Sequence, residues 1–398
     1  MASSTAKGES FHMKHRTAII ALTLAACLLA LTGCSDRSVQ QTQEPPNATE
    51  DAAVTPRPTP TPAETIQPTP QPEETPSPRP EEPVAVADRA ELKAQLLQAI
   101  EELRQPWIMD ISNLGLESPE LDVKNIYYEI TRESPRLKYA YDLTGTCSGD
   151  TLTCIISYMP YMTGDFPEDF SGEEVASIRA LLAVAENHLG EESAPIRIAE
   201  KTLEPDKMNR ALQQIGGGYI LCSLNRDGTQ LQYSPAMGMT MEDCMTALEQ
   251  ADALADQVIA QVVTADMTQR GQAQAVYAYL TVNVVYDQRY YSDLSSMPYG
   301  SQTALGALGD KTAICGGYAN ALKLLFEKLD IPCYTVSGKY FRENHMWNLA
   351  QLDGEWLWFD ATSDRGNSGE YGFLRFALSE LDEAKYHYEE SDVQQLID

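Results

Sequence analysis

Apolar residues recur at helical spacing over 87–103, 241–264 and 268–282. In the second of these Met245, Leu248, Leu254, Val258 and Val262 mark one face; in the third, Val276, Tyr277 and Leu280 do so. Segments 125–130 and 172–189 also predict helices. β-Rich runs at 137–143 and 151–158, joined through Ser148-Gly149-Asp150, predict a hairpin. A second hairpin is expected from 218–224 and 229–233 around Arg226-Asp227-Gly228. A third pair of runs, 345–352 and 355–362, flanks Asp353-Gly354, the favoured two-residue hairpin turn. Just before it, Ala321, Leu322, Leu325 and Leu329 form an apolar helical stripe. Helices and antiparallel hairpins in succession predict an α+β protein.

Chemistry concentrates in the last third of the chain. The helix at 312–329 opens Thr312-Ala-Ile-Cys315-Gly-Gly-Tyr318. Thr312 is the expected N-cap, which puts Cys315 in the first turn, beside unpaired backbone N–H groups and the positive end of the helix dipole. That setting suits a sulfur nucleophile. Gly316 and Gly317 remove side-chain bulk next to the sulfur, at a cost in helix stability, and so predict close approach by another backbone or a substrate. The Asp353-Gly354 turn then fixes a register in which Leu352 faces Glu355, Trp347 faces Asp360 and His345 faces Thr362. His345 and Asp360 thus share one side of the sheet as diagonal neighbours, with Cα positions roughly 7–8 Å apart. A slip of one residue would separate them. Of the histidines beyond the leader, His188 lies at a polar helix end and His387 in a Tyr- and Glu-rich tail. Only His345 combines a cysteine-bearing helix nearby with a carboxylate on its own face. A buried structural cysteine, a structural histidine and a capping aspartate would be ordinary taken singly. Their conjunction predicts a thiol nucleophile with its base and orienting acid.

At these residues the chain resembles the transglutaminase-like core, which belongs to the papain-like cysteine fold. The resemblance runs from Tyr279-Leu-Thr-Val-Asn-Val-Val-Tyr-Asp287 to about Arg365. It includes Ala304-Leu-Gly-Ala-Leu308, Ala313-Ile-Cys-Gly-Gly-Tyr-Ala319, Ile331-Pro-Cys-Tyr-Thr-Val-Ser-Gly338, His345-Met-Trp-Asn348, Asp353-Gly-Glu-Trp356 and Phe359-Asp-Ala-Thr362. It implies Cys315 as nucleophile, His345 as general base and Asp360 as the residue that orients it. Gly316 departs from the polar residue that many relatives carry after the cysteine. The implied chemistry is acyl transfer through a thioester, by a cysteine peptidase, an amidase or a cross-linking transferase. An oxyanion would need donors: the backbone N–H of Cys315 or Gly316, with Gln302 or Tyr299 as a second. Trp347 is expected in the site wall. No cofactor is implied. The competing expectation is a non-catalytic surface adhesin or scaffold that keeps the fold.

The N-terminus reads as an export signal. Lys14, His15 and Arg16 precede an apolar run over 18–31 that ends in Leu31-Thr-Gly-Cys34, which resembles a lipobox and predicts lipid attachment at Cys34. Translation from Met13 would give a more compact leader. Residues 35–83 hold 13 of the 23 prolines and predict an extended spacer, on the order of 150 Å long at full stretch. The organisation expected is a lipoprotein signal peptide at 1–33, a linker at 34–86, an α+β domain at 87–240 and the catalytic domain at 241–398. The 87–240 domain is expected either to dock substrate or to brace the core. This places the protein on the extracellular face of a bacterial cytoplasmic membrane, held by lipid on Cys34 and acting as a monomer.

The chain carries a net charge of −29; dropping three cations and one anion of the leader takes it to about −31. That argues against nucleic acid and anionic membrane surfaces as ligands, and leaves a protein or peptide substrate, cell-wall peptide included. No metal-ligand spacing is present. Beyond Cys34 six cysteines remain; Cys147 and Cys154 flank one turn in a diagonal register that is long for a disulfide, Cys222 and Cys244 are a weaker pair, and Cys333 is expected in the core.

Overall fold

The structure, a computed structural model, describes residues 83–397. The leader, Cys34 and most of the Pro-rich segment lie outside the described residues. The α+β reading holds: helices pack on antiparallel or mixed sheets throughout.

The first sheet has strand order β1-β2-β4-β3, from β1 (Val84–Ala85), β2 (Trp107–Asp110), β3 (Ala140–Ser148) and β4 (Thr151–Tyr158). Helices α1 (Arg89–Glu101), capped by the Asp88 carboxylate accepting from the Glu91 N–H, and α2 (Pro119–Glu133) accompany it. Residues 137–139 are not strand as expected. Pro135 opens a 3₁₀ turn over Pro135–Tyr139 that delays β3 until Ala140. In the β3–β4 ladder Gly145 faces Cys154 and Cys147 faces Leu152, so the two cysteines are diagonal; both are free. A second sheet, β5-β6-β8-β7, joins β5 (Glu173–Val175), β6 (Ser193–Ile198), β7 (Ile220–Leu224) and β8 (Gln230–Pro235). Here 172–189 is not one helix. Its first residues form β5 in parallel register with β6, and Ser177 caps a shorter α3 (Ile178–Asn187). Helix α4 (Pro205–Ala211) leads into β7.

A Thr240–Asp243 capping box starts α5 (Met241–Val262), and Thr268 caps α6 (Gln269–Asn283). Apolar packing changes partners along α5. Cys244 and Ala247 join the core of the two preceding sheets, whereas Ala251, Ala255 and Val258 pack with α6 and the elements that follow. Strands β9 (Val285–Tyr286) and β10 (Thr312–Ala313) pair in parallel, with a one-turn helix α7 (Arg289–Ser292) between them. Helix α8 (Cys315–Glu327) then lies against an antiparallel sheet of order β13-β12-β11-β14: β11 (Cys333–Tyr340), β12 (Glu343–Leu352), β13 (Glu355–Phe359) and β14 (Tyr386–His387). Leu322, Leu325 and Phe326 of α8 are fully buried with Ala350, Leu352 and Phe359 of the sheet. Each large side chain contributes roughly 1.5–3 kcal/mol. The opposite face buries Val336, Trp347, Leu349, Trp358 and Tyr386. The C-terminal helix α9 (Glu390–Ile397) is tied to α4 by the Arg210–Asp392 ion pair, at 2.7 Å.

Candidate active site

Cys315 is the first residue of α8, two steps nearer the helix start than a Thr312 cap would place it. Thr312 and Ala313 are taken up by the parallel pairing of β10 with β9. The N-cap position therefore falls to Ile314, which has no side-chain acceptor to offer. Its backbone N–H instead donates to the Ser301 carbonyl at 2.7 Å. The two glycines after the sulfur admit the approach expected of them. A Cβ on Gly317 would lie 2.6 Å from the Ser301 carbonyl oxygen and 2.7 Å from the Ala313 Cβ, and one on Gly316 would lie 3.2 Å from the Gln302 carbonyl oxygen. What comes close is the 3₁₀ turn Tyr299–Gln302.

The hairpin delivers the other two groups. Asp353 and Gly354 both take positive φ, +54° and +87°, as a tight two-residue turn of this twist requires, and Leu352 faces Glu355. β13 ends at Phe359, short of the expected 362. The backbone there leaves β12, and Asp360 N–H donates to the Arg375 carbonyl at 2.9 Å. His345 and Asp360 still meet: Nε2 lies 2.9 Å from Oδ2, with the imidazole 10% and the carboxylate 1% exposed. The same ring interacts with Cys315, which helps to hold its proton. Burial opposes the charged imidazole, but the hydrogen bonds to Asp360 and Cys315, and their charges, outweigh it and raise His345 to about 9. Burial likewise opposes the Asp360 carboxylate, yet its hydrogen bonds hold it below the ordinary carboxylate range.

Two groups that complete this acid have no counterpart among the residues picked from sequence. The Ser363 hydroxyl donates to Asp360 Oδ2 at 2.6 Å and its N–H to Oδ1 at 3.0 Å, while the Tyr386 hydroxyl donates to Oδ2 at 2.8 Å. Ser363 follows the recognised Phe359-Asp-Ala-Thr362 stretch directly and was open to a search for hydroxyls flanking the acid. Tyr386 sits in a two-residue strand far along the chain and left no pattern. Trp347 is 1% exposed and lies behind the imidazole, with ring centroids 5.9 Å apart and near-parallel planes. Tyr340 packs against the ring as well, at 5.6 Å.

The candidate donors separate. Gln302 lies beside Gly316, with its carbonyl accepting from Asn320 Nδ2 at 3.0 Å. The Tyr299 hydroxyl donates to the Gly218 carbonyl at 2.5 Å, and so its proton is directed into the loop before β7. Thr303 Oγ1 and the Tyr219 hydroxyl, 3.0 Å apart, add a second link between that loop and the turn beside Cys315. Both contacts join the 87–240 region to the turn beside Cys315. Asn348, fully buried, donates from Nδ2 to the Ala319 carbonyl at 2.9 Å, which ties the strand of His345 to the helix of Cys315. His188 is bonded to Glu173 and Glu191, and His387 faces Lys339 in β14. Among the described residues no group of three or more His, Cys, Asp or Glu side chains is placed to hold a metal ion.

The family model described as the transglutaminase-like superfamily matches residues 246–361, which contain all three groups. Among solved structures, the chain is similar to a TGase, at 15% identity and a TM-score of 0.28, covering 56% of this chain and 54% of that one. It is also similar to a candidate cysteine protease from Cytophaga hutchinsonii, at 12% identity and a TM-score of 0.18, covering 59% and 65%. The chain thus spans under two thirds of the length of either. It matches no curated protein.

Proposed function

We propose that this chain, whose residues 246–361 match the transglutaminase-like superfamily model, is a cysteine-dependent acyl-transfer enzyme acting on peptide or glutamine-type amides. One observation carries the reading: a single imidazole, His345, is hydrogen-bonded to a buried carboxylate and interacts with the side chain of Cys315, the first residue of a helix. At neutral pH the resting site is a sulfur–imidazolium pair. The sulfur attacks the amide carbonyl, and the C–S bond forms as the oxygen takes the negative charge. The backbone N–H of Cys315, at the first helical position, has no partner within the helix and can receive that oxygen. Gln302, beside Gly316, is the second donor. His345 gives its proton to the leaving nitrogen, and the C–N bond breaks to leave a thioester. The neutral imidazole then takes a proton from water or a primary amine as that group attacks the thioester carbonyl, and the C–S bond breaks to release the acid or amide and restore the sulfur–imidazolium pair. Asp360 keeps the ring oriented throughout, itself held by Ser363 and Tyr386.

On this reading the enzyme works on protein or peptide at the extracellular face of a bacterial cytoplasmic membrane, tethered by lipid on Cys34. The test is to incubate the full chain with peptide substrates, with and without a labelled primary amine, and follow intact mass. An added mass on Cys315 that is absent from Cys315→Ala, followed by release as acid or as amide, supports the reading. No acylation of any cysteine under conditions that acylate a thiol protease would end it. Incorporation of a labelled fatty acid that is lost in Cys34→Ala tests the anchor.

A further inference from the structure

Phe341 holds a backbone conformation that its side chain disfavours, and it holds it in the open. It begins the two-residue loop between Tyr340 and Glu343, which face each other at the end of the β11–β12 ladder. Its φ is +56°, in the left-handed region where hairpin loops favour glycine or asparagine and a bulky aromatic is an outlier. The Phe341 N–H donates to the Lys385 carbonyl at 2.6 Å, which fixes the conformation. The residue is 53% exposed, so burial in the core does not account for its conformation. Strain of this kind, retained at an exposed aromatic, points to a contact made outside the chain.

Its position says what that contact serves. Phe341 packs edge-on against Tyr340 at 4.8 Å, and Tyr340 packs against the His345 imidazole. Two residues before His345, Glu343 accepts a hydrogen bond at 3.0 Å from the hydroxyl of Tyr291, itself 59% exposed. Tyr291 stacks on Tyr286, whose β9 position faces Ala313, two residues before Cys315. The loop and the tyrosines therefore adjoin the strand that carries the base and the strand that leads into the nucleophile. The Tyr291–Glu343 bond engages the carboxylate on this rim, and Phe341 and Tyr291 expose aromatic surface beside the exposed Arg342. Such surfaces favour apolar partners.

We infer that the Phe341 loop is a specificity subsite, a platform that seats a bulky apolar side chain of a peptide substrate beside the amide under attack. This rests on the acyl-transfer reading above. The full chain is treated with two peptidyl chloromethyl ketones that differ only in carrying phenylalanine or alanine next to the reactive carbon, and in parallel with iodoacetamide. In the first two the sulfur displaces chloride and forms a thioether. Rates at Cys315 are read by mass spectrometry. The wild type should react roughly tenfold or more faster with the phenylalanine reagent. Phe341→Gly should bring the two rates together, leave the iodoacetamide rate unchanged and raise the melting temperature by relieving the strain. Phe341→Asn, which tolerates the left-handed region, should act in the same direction. Equal rates in the wild type, or a preference that survives both substitutions, overturns the inference with the catalytic reading intact. Iodoacetamide labelling no faster than at an ordinary exposed thiol fails the catalytic reading itself, and the subsite with it.

Discussion

The His345 imidazole and the Asp360 carboxylate, 2.9 Å apart, form a pair that is almost closed to water on the acid side, with Asp360 1% exposed. Asp360 accepts from a ring N–H, two groups of Ser363 and the Tyr386 hydroxyl. Asp360→Asn keeps the shape but removes the charge, and an amide nitrogen cannot accept these protons. Activity is expected to fall by about 10²–10⁴-fold with the fold kept. Asp360→Ala leaves the imidazole and two hydroxyls short of their acceptor and should also cost about 3–5 kcal/mol in urea unfolding. Equal activity for the wild type and Asp360→Asn would remove the acid from the mechanism.

The His345 ring couples the site to stability through pH. Its pKa is raised from 6.5 to about 9 in the folded chain. Below 6.5 the ring is protonated whether the chain is folded or not, and its contribution is fully present. Between 6.5 and 9 only the folded chain holds the proton. The contribution is lost as the pH rises through 9, on the order of 3 kcal/mol in all. Urea midpoints measured at pH 6 and pH 9.5 should therefore diverge more for the wild type than for His345→Gln, which cannot titrate.

Gly317→Ala tests the close approach at the helix start. Alanine is the better helix former, and φ there is unexceptional. The added Cβ would nevertheless sit 2.6 Å from the Ser301 carbonyl oxygen. We expect a net loss of about 1–3 kcal/mol together with reduced kcat, because the turn carrying Gln302 must shift away from Cys315. The same substitution with unchanged kcat and raised stability would show that the approach has no role.

Asn348 joins strand to helix with no exposed surface. Asn348→Leu removes the side-chain donor to the Ala319 carbonyl, which keeps only its partner within the helix, and a loss of about 0.5–1.5 kcal/mol is expected in thermal or urea unfolding. With the link gone, kcat should fall more than KM rises, since it is the spacing of Cys315 and His345 that relaxes.

The residues that meet here were legible for unequal reasons. Asp353-Gly354 dictates a two-residue loop, and with a period of two that single turn assigns a face to every residue from His345 onward. The meeting of His345 with Asp360 followed from it, although Asp360 lies just past the end of β13 and not within it. The stripe of Ala321, Leu322, Leu325 and Leu329 likewise implied the buried face of α8, to which Phe326 adds an unexpected member. Features that depend on distant pairing left no such trace. β5 and β14 are three and two residues long and exist through their partners β6 and β11, so 172–189 read as one helix and Tyr386 went unseen. Thr312 has the side chain of a cap but is held in a strand by Val285. Tyr299 sits at the right distance along the chain for an oxyanion donor, yet its hydroxyl is turned to Gly218 by a loop some eighty positions earlier.

The account depends on a sulfur made reactive by His345. The most direct measurement is the rate at which iodoacetamide alkylates each cysteine at pH 7, resolved by peptide mass spectrometry in the wild type and in His345→Ala. Cys315 should be labelled well ahead of the similarly accessible Cys147, and should slow to the rate of Cys147 when the imidazole is removed. Equal labelling of Cys315 and Cys147 in the wild type, or a Cys315 rate indifferent to His345, would contradict it.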